Sequence, residues 1–181
     1  LVPMVADTVP NSYNTGPEQV AALLSPRTRA IVVPHIGGEP ADVAGIVELA
    51  QAHDIPVIED CSQSHGATLD GKPVGTFGDM AVFSTMFGKH HSTGGQGGVV
   101  FTRDEALYHR IRRASDRGKP FFVSDNARPA PSTGNLFASL NFNASDLAAT
   151  IGLVQLHKLP EMVARRRELV ESLTQVLEEM P

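Results

Sequence analysis

Short apolar runs alternate along this chain with longer segments whose apolar residues recur at helical spacing. Ala30-Ile31-Val32-Val33, Pro56-Val57-Ile58-Glu59-Asp60, Met80-Ala81-Val82-Phe83-Ser84 and Gly98-Val99-Val100-Phe101-Thr102 are each bounded by breakers and are predicted as strands. Strands that read as near-continuous apolar runs belong to sheets covered on both faces. The pattern therefore predicts an α/β fold, with a mostly parallel sheet in a three-layer α/β/α arrangement. A helix from about Pro40 to His53 carries Val43, Ile46, Val47 and Ala50 on one stripe, with Pro in its first turn, and serves as a crossover. Asp70-Gly71 between Thr68-Leu69 and Lys72-Pro73-Val74 predicts a tight hairpin. Three further helices are expected. Asp104 to Ser115 turns Leu107, Ile111 and Ala114 inward, Ser145 to Lys158 opens with a Ser cap followed by Asp, and the third runs from Pro160 to Met180. The Asp116 to Asn143 stretch, rich in Gly, Pro, Ser and Asn, has no sustained period and reads as a long surface loop. Leu1 to Val5 reads as a strand already in progress, which, with a first residue other than Met, suggests a fragment.

Composition narrows the class. The chain has 181 residues, 41% apolar and 19% charged, enough for one soluble domain. A formal charge of -5 without basic clusters argues against nucleic acid or an anionic membrane surface, and favours a small-molecule partner. The lone Cys61 excludes an internal disulfide and points to a reducing compartment, the cytoplasm by default. No apolar stretch is long enough to span a bilayer as a helix. Arg165-Arg166-Arg167 reads as a solvated face. The mildly basic stretch from Arg113 to Lys119 reads as a solvated helix end, with contact to a nucleotide diphosphate as the alternative.

Chemistry enters at the strand ends, because ligands of open parallel sheets bind beyond the carboxyl ends of the strands. Asp60 and Ser84 each close a strand, and Lys89 follows in the segment Phe87-Gly88-Lys89-His90-His91-Ser92-Thr93-Gly94-Gly95-Gln96-Gly97-Gly98. Taken singly, each has a plain reading: Asp60 as a cap or ion-pair partner, Lys89 as a solvated loop lysine. Together they bring an acid, a hydroxyl and an amine to one crevice. Pyridoxal phosphate requires that set, with an amine for its aldehyde, an acid for its pyridine nitrogen, and hydroxyls and backbone N–H groups for its phosphate. His65, His90 and His91 lack the carboxylate spacing of a metal site, so no metal is expected. Cys61, following a buried strand, is expected to pack, not to react.

The ordered motifs resemble the DegT/DnrJ/EryC1/StrS family of sugar aminotransferases, which have the type I pyridoxal-phosphate fold. Val57-Ile58-Glu59-Asp60-Cys61-Ser62-Gln63-Ser64-His65-Gly66-Ala67 is similar to the family's acidic motif. That similarity implies Asp60 on the pyridine nitrogen and Gln63 against the cofactor ring or its 3-hydroxyl. Pro26 to Ile31, Gly38 to Asp42, Gly75 to Asp79 and Phe83-Ser84 fall in family order. By the same resemblance Ser84 binds the phosphate and Lys89 carries the cofactor covalently. His90, adjoining Lys89, lies near cofactor or substrate. Asn141, in Leu140-Asn141-Phe142-Asn143-Ala144-Ser145-Asp146, is similar to the family asparagine that reaches the phosphate of a neighbouring subunit, which implies a homodimer with shared active sites. Family members that dehydrate sugars have histidine at the lysine position, so Lys89 implies amination.

The chain departs from the family pattern in carrying one extra residue and Gln96 for Glu after Lys89, and Asn143 where arginine is common. It reads as the central part of the cofactor-binding large domain, without the family's first turn and its final small domain. The activity implied is transfer of an amino group from glutamate or glutamine to a keto-sugar, with a nucleotide-linked one expected. The alternatives are a non-catalytic module of the same fold or another type I reaction.

Overall fold

The computed structural model describes residues 1–116 and 139–180. In chain order its elements are α1 (Pro17–Ala21), β1 (Ile31–Pro34), a 3-10 turn (Ile36–Gly38), α2 (Val43–Ala52), β2 (Val57–Asp60), β3 (Thr68–Leu69), β4 (Lys72–Pro73), β5 (Met80–Ser84), β6 (Gly98–Phe101), α3 (Glu105–Ser115) and α4 (Asp146–Glu178). The main sheet has the order β1-β2-β5-β6. β1, β2 and β5 run parallel, and β6 is antiparallel to β5. This is the mostly parallel α/β arrangement expected from the apolar runs.

The parallel strands must return through crossovers, and α2 supplies the first. Its Val43, Ile46 and Ala50 are buried against Ile31, Val33 and Val57, with Val20 of α1 beside them. Full burial of aliphatic side chains of this size stabilises by roughly 1.5–3 kcal/mol each, so this cluster fixes the β1–β2 pair. Register then sets the site. Pro34 pairs with Asp60, and Asp60 with Val82, so the carboxyl ends of the three parallel strands lie side by side. The β3–β4 hairpin turns on Asp70 and Gly71 with φ of 50° and 76°, the left-handed conformations its tight turn demands.

Three expectations are corrected. Leu1 to Val5 forms no strand; Leu1, Val2, Met4 and Val5 are exposed and no strand lies alongside them among the described residues. Apolar residues alone do not make a strand without a ladder partner for the backbone. The helix expected from Pro40 begins at Val43, because Asp42 Oδ1 accepts from Gly45 N at 3.0 Å and supplies the cap. The two helices expected around Pro160 are one. Ser145 caps the start, accepting from Ala148 N at 3.2 Å, and α4 continues through Pro160 to Glu178. Proline removes one backbone donor but its φ suits a helix, and the Leu-, Glu- and Arg-rich flanks carry the helix across. Most of the long loop expected from Asp116 to Asn143 lies outside the described residues, as do residues 117–119 of the basic stretch. At its two ends, Asp116 bridges Asn141, and Phe142 N donates to Ser115 O at 2.7 Å.

Candidate functional site

Asp60 ends β2 half-buried, and its Oδ1 accepts from Ser62 N at 3.0 Å. Oδ2 takes no hydrogen bond among the described residues. Ser84 ends β5, and its hydroxyl oxygen accepts a long contact from Met86 N at 3.4 Å, leaving the O–H proton to be donated elsewhere. Beyond Ser84 the chain folds back on itself before entering β6. Thr85 N donates to Gly97 O and Phe87 N to Gly95 O, while Thr93 N donates to Thr85 O. The Thr85 and Thr93 hydroxyls meet at 3.0 Å. A Cβ at Gly97 would lie 2.5 Å from both hydroxyl oxygens, so only glycine allows this closure. Lys89 sits at the far end of the loop, half-buried. Its backbone is held by Met86 O at 2.9 Å, and its amine forms no hydrogen bond or ion pair among the described residues.

The support beneath Asp60 is a residue the sequence reading passed over. Glu59 is fully buried on the opposite face of β2. Its Oε2 accepts from Gly75 N at 2.6 Å and from His35 Nε2 at 3.2 Å; Oε1 accepts from Phe77 N and Gly78 N, both at 2.8 Å. His35 Nδ1 accepts from Ala41 N at 3.1 Å, which assigns the ring proton to Nε2 and makes it the donor to Glu59. Burial alone would raise the Glu59 carboxyl, but the bonds from His35 and the backbone of Gly78, Gly75 and Phe77 outweigh it and leave its pKa below the usual value. A charged residue inside an otherwise apolar parallel strand was the available signal.

His35, Glu59 and Cys61 place ligand atoms within 4.8 Å of one another. The hydrogen bonds just described already occupy the imidazole and the carboxylate. Burial, with the charges of Glu59 and Asp60, pushes the Cys61 thiol up to about 12 despite Ser64 pulling it down. A buried thiol held protonated in this way is a packing group, not a nucleophile.

α4 straps the loops that follow β2 and β5. His91 Nε2 bonds Gly152 O at 2.9 Å, Arg166 Nη1 meets His90 Nε2 at 3.0 Å, and Arg167 Nη2 donates to Gly66 O at 3.4 Å. The arginine run expected to be solvated is exposed, but two of its members reach these loops. Beneath them His65 is 7% exposed, its ring 5.7 Å from Phe83, 6.0 Å from His90 and 6.3 Å from His91. Neither of its nitrogens completes a hydrogen bond. Burial lowers its pKa to about 4, aided by His90, His91 and Lys89, against a smaller opposing pull from the Ser84 backbone. His90 is lowered too, by burial and then by Arg166 and Lys89. Of the expected site residues, Lys89 and His90 therefore share one loop, and Asp60 and Ser84 end neighbouring strands. Gln63 stands in the turn after β2, and its Oε1 accepts from Gly37 N at 3.0 Å. Asn141 lies apart, exposed, with its Oδ1 accepting from Asn143 Nδ2 at 2.9 Å.

An unpaired amine, a carboxylate with a free oxygen, a hydroxyl with a proton to give, and a buried imidazole without a partner are a donor set that fits pyridoxal phosphate.

A family profile described as the DegT/DnrJ/EryC1/StrS aminotransferase family matches residues 1–181. GDP-perosamine synthase of Caulobacter vibrioides is 35% identical over 169 residues, 93% of this chain and 43% of that protein. L-glutamine:2-deoxy-scyllo-inosose aminotransferase of Streptomyces fradiae is 37% identical over 185 residues, 99% of this chain and 42% of that protein. An aminotransferase structure from Streptoalloteichus hindustanus superposes with a TM-score of 0.82 at 36% identity, covering 97% of this chain and 45% of that one. The Escherichia coli GDP-4-keto-6-deoxy-D-mannose-3-dehydratase, solved with bound hydrated pyridoxal phosphate, matches with a TM-score of 0.80 at 26% identity, over 97% of this chain and 47% of that one. The chain thus spans about two fifths of the length of the curated relatives it matches.

Proposed function

The chain belongs to the DegT/DnrJ/EryC1/StrS aminotransferase family, whose cofactor is pyridoxal phosphate, and from that premise we propose that it anchors this cofactor at Lys89. In the same proposal it takes part in moving an amino group from glutamate or glutamine to a keto-sugar, a nucleotide-linked sugar being the first candidate. The observation that supports the reading is that Asp60 and Ser84 end neighbouring strands and that the folded-back loop following Ser84 carries Lys89, whose amine has no hydrogen bond or ion pair among the described residues. When bound, the cofactor supplies an electron sink for the negative charge left as the amino donor loses a proton.

The protein residues divide the remaining work. Lys89 Nζ holds the cofactor and, once freed, moves a proton to or from the reacting carbon. The free Asp60 oxygen keeps the pyridine nitrogen protonated, and the Ser84 O–H donates to the phosphate. The Gln63 side-chain NH2, uncommitted among the described residues, meets the cofactor ring or its hydroxyl. His90 lies beside the substrate, oriented by Arg166. Asn141, exposed, reaches the phosphate held by a second copy, which makes the working form a homodimer with shared sites. The chain corresponds to the central part of the large domain of its longer relatives, and the protein works in the cytoplasm. Among the described residues, no helix is long and apolar enough to cross a membrane.

The test is amino transfer. The protein, given pyridoxal phosphate and L-glutamine or L-glutamate, is offered nucleotide-linked keto-sugars and cyclitol ketones, and amino products are read by mass. The expected result is an amino product from one sugar class, reduced by about 10³-fold or more in Lys89→Ala. Turnover undiminished in that variant overturns the proposal.

A further inference from the structure

A buried polar group without a partner is costly, so one that persists beside a ligand crevice is best explained by a partner that arrives with the ligand. His65 is such a group. Its ring is wedged between Phe83 of β5 and the His90–His91 pair of the Lys89 loop, more than nine-tenths buried, with both nitrogens unpaired. The Lys89 amine disfavours a proton on the ring, while the Ser84 backbone favours one, approaching the ring without completing the geometry of a hydrogen bond. His65 therefore packs directly against the loop that carries the residue proposed to hold the cofactor covalently.

We propose that His65 is a cofactor-contacting residue, an uncharged imidazole whose hydrogen bond is completed only when pyridoxal phosphate occupies the crevice at Lys89. The inference rests on the cofactor reading above and adds a contact to it. An imidazole that stays neutral presents one donor and one acceptor, and so can bond the cofactor without placing a second cation beside Lys89. The role also accounts for the histidine lying on an aromatic ring instead of a hydrogen-bonding group, since Phe83 holds its plane and leaves both nitrogens available.

The experiment compares thermal stability without cofactor and pyridoxal phosphate affinity by titration, in wild type, His65→Phe, His65→Leu and His65→Gln. Removing the unpaired nitrogens relieves an unsatisfied group, so the two apolar variants without cofactor melt no lower than wild type. Their affinity falls about tenfold, the equivalent of one hydrogen bond. His65→Gln, which restores a donor and an acceptor, regains most of that affinity. Leucine covers the case in which the larger phenylalanine overfills the site. A packing role predicts the reverse pattern, with apolar variants that melt lower and bind equally well, and that result overturns the inference while leaving the cofactor reading intact. Failure of the wild-type protein to bind the cofactor overturns the reading and the inference together.

Discussion

Glu59 shows how one carboxylate organises the surroundings of another. With four acceptor bonds it ties the β1 turn, through His35, and the 75–78 turn to the strand that ends in Asp60. Glu59→Gln substitutes a donor for one acceptor oxygen, leaves at least one buried N–H unpaired, and is expected to cost about 2–4 kcal/mol in denaturant unfolding. Its folded pKa lies below the ordinary value of 4.5, so its stabilising share is fully present above pH 4.5 and is lost as pH falls through the lower folded value. Acid unfolding of Glu59→Gln should accordingly be less steep below pH 4.5 than that of wild type. His65 acts in a higher window. The unfolded ring binds a proton near pH 6.5 that the folded ring refuses until about pH 4, so stability falls as pH drops between those values. His65→Phe should flatten that slope, read as urea midpoint against pH. The placement of Asp60 and Ser84 at neighbouring strand ends, with Lys89 in the loop beyond, was legible in the sequence because each short apolar run between breakers ends in one of these polar residues. Glu59 and His65 were not, because their significance comes from partners, or the lack of them, that only the folded turns decide.

Among elements, the four strands of the main sheet and the β3–β4 hairpin were read to within a residue or two, whereas the apolar run from Leu1 to Val5, which has no ladder partner among the described residues, was misread as a strand. α4 was misread too, because a proline ordinarily argues for a break. Its path matters to the site. At Gly152 the helix approaches the Lys89 loop so closely that a Cβ would meet Thr93 Cγ2 at 2.9 Å. Thr93 cannot easily give way, because its hydroxyl is tied to Thr85. Gly→Ala in a helix ordinarily stabilises by about 1 kcal/mol. Here the clash should reverse the sign, and Gly152→Ala is expected to lower stability by about 1–2 kcal/mol and to weaken cofactor binding by shifting the loop. Unfolding midpoints and cofactor titration on the same variant check both halves.

For the whole molecule, the apolar residues of the second half of α4 are exposed, with Leu169, Val170, Leu173, Val176 and Leu177 all more than half accessible. A stripe of that size is a candidate contact surface. The proposed shared site can be tested by mixing. On that proposal Lys89→Ala and Asn141→Ala are each expected to impair both sites of the proposed homodimer, whereas a mixed dimer would keep one intact site. Random reassortment should therefore restore about a quarter of wild-type activity. No recovery on mixing would contradict a site shared between subunits.

Capture of the cofactor tests the central claim most directly. The protein is incubated with pyridoxal phosphate, reduced with borohydride and digested, and its peptides are weighed. The account predicts a stable pyridoxyl adduct on the peptide bearing Lys89, absent from Lys89→Ala and weakened in Asp60→Ala. An adduct distributed over surface lysines and unchanged by Lys89→Ala would contradict it.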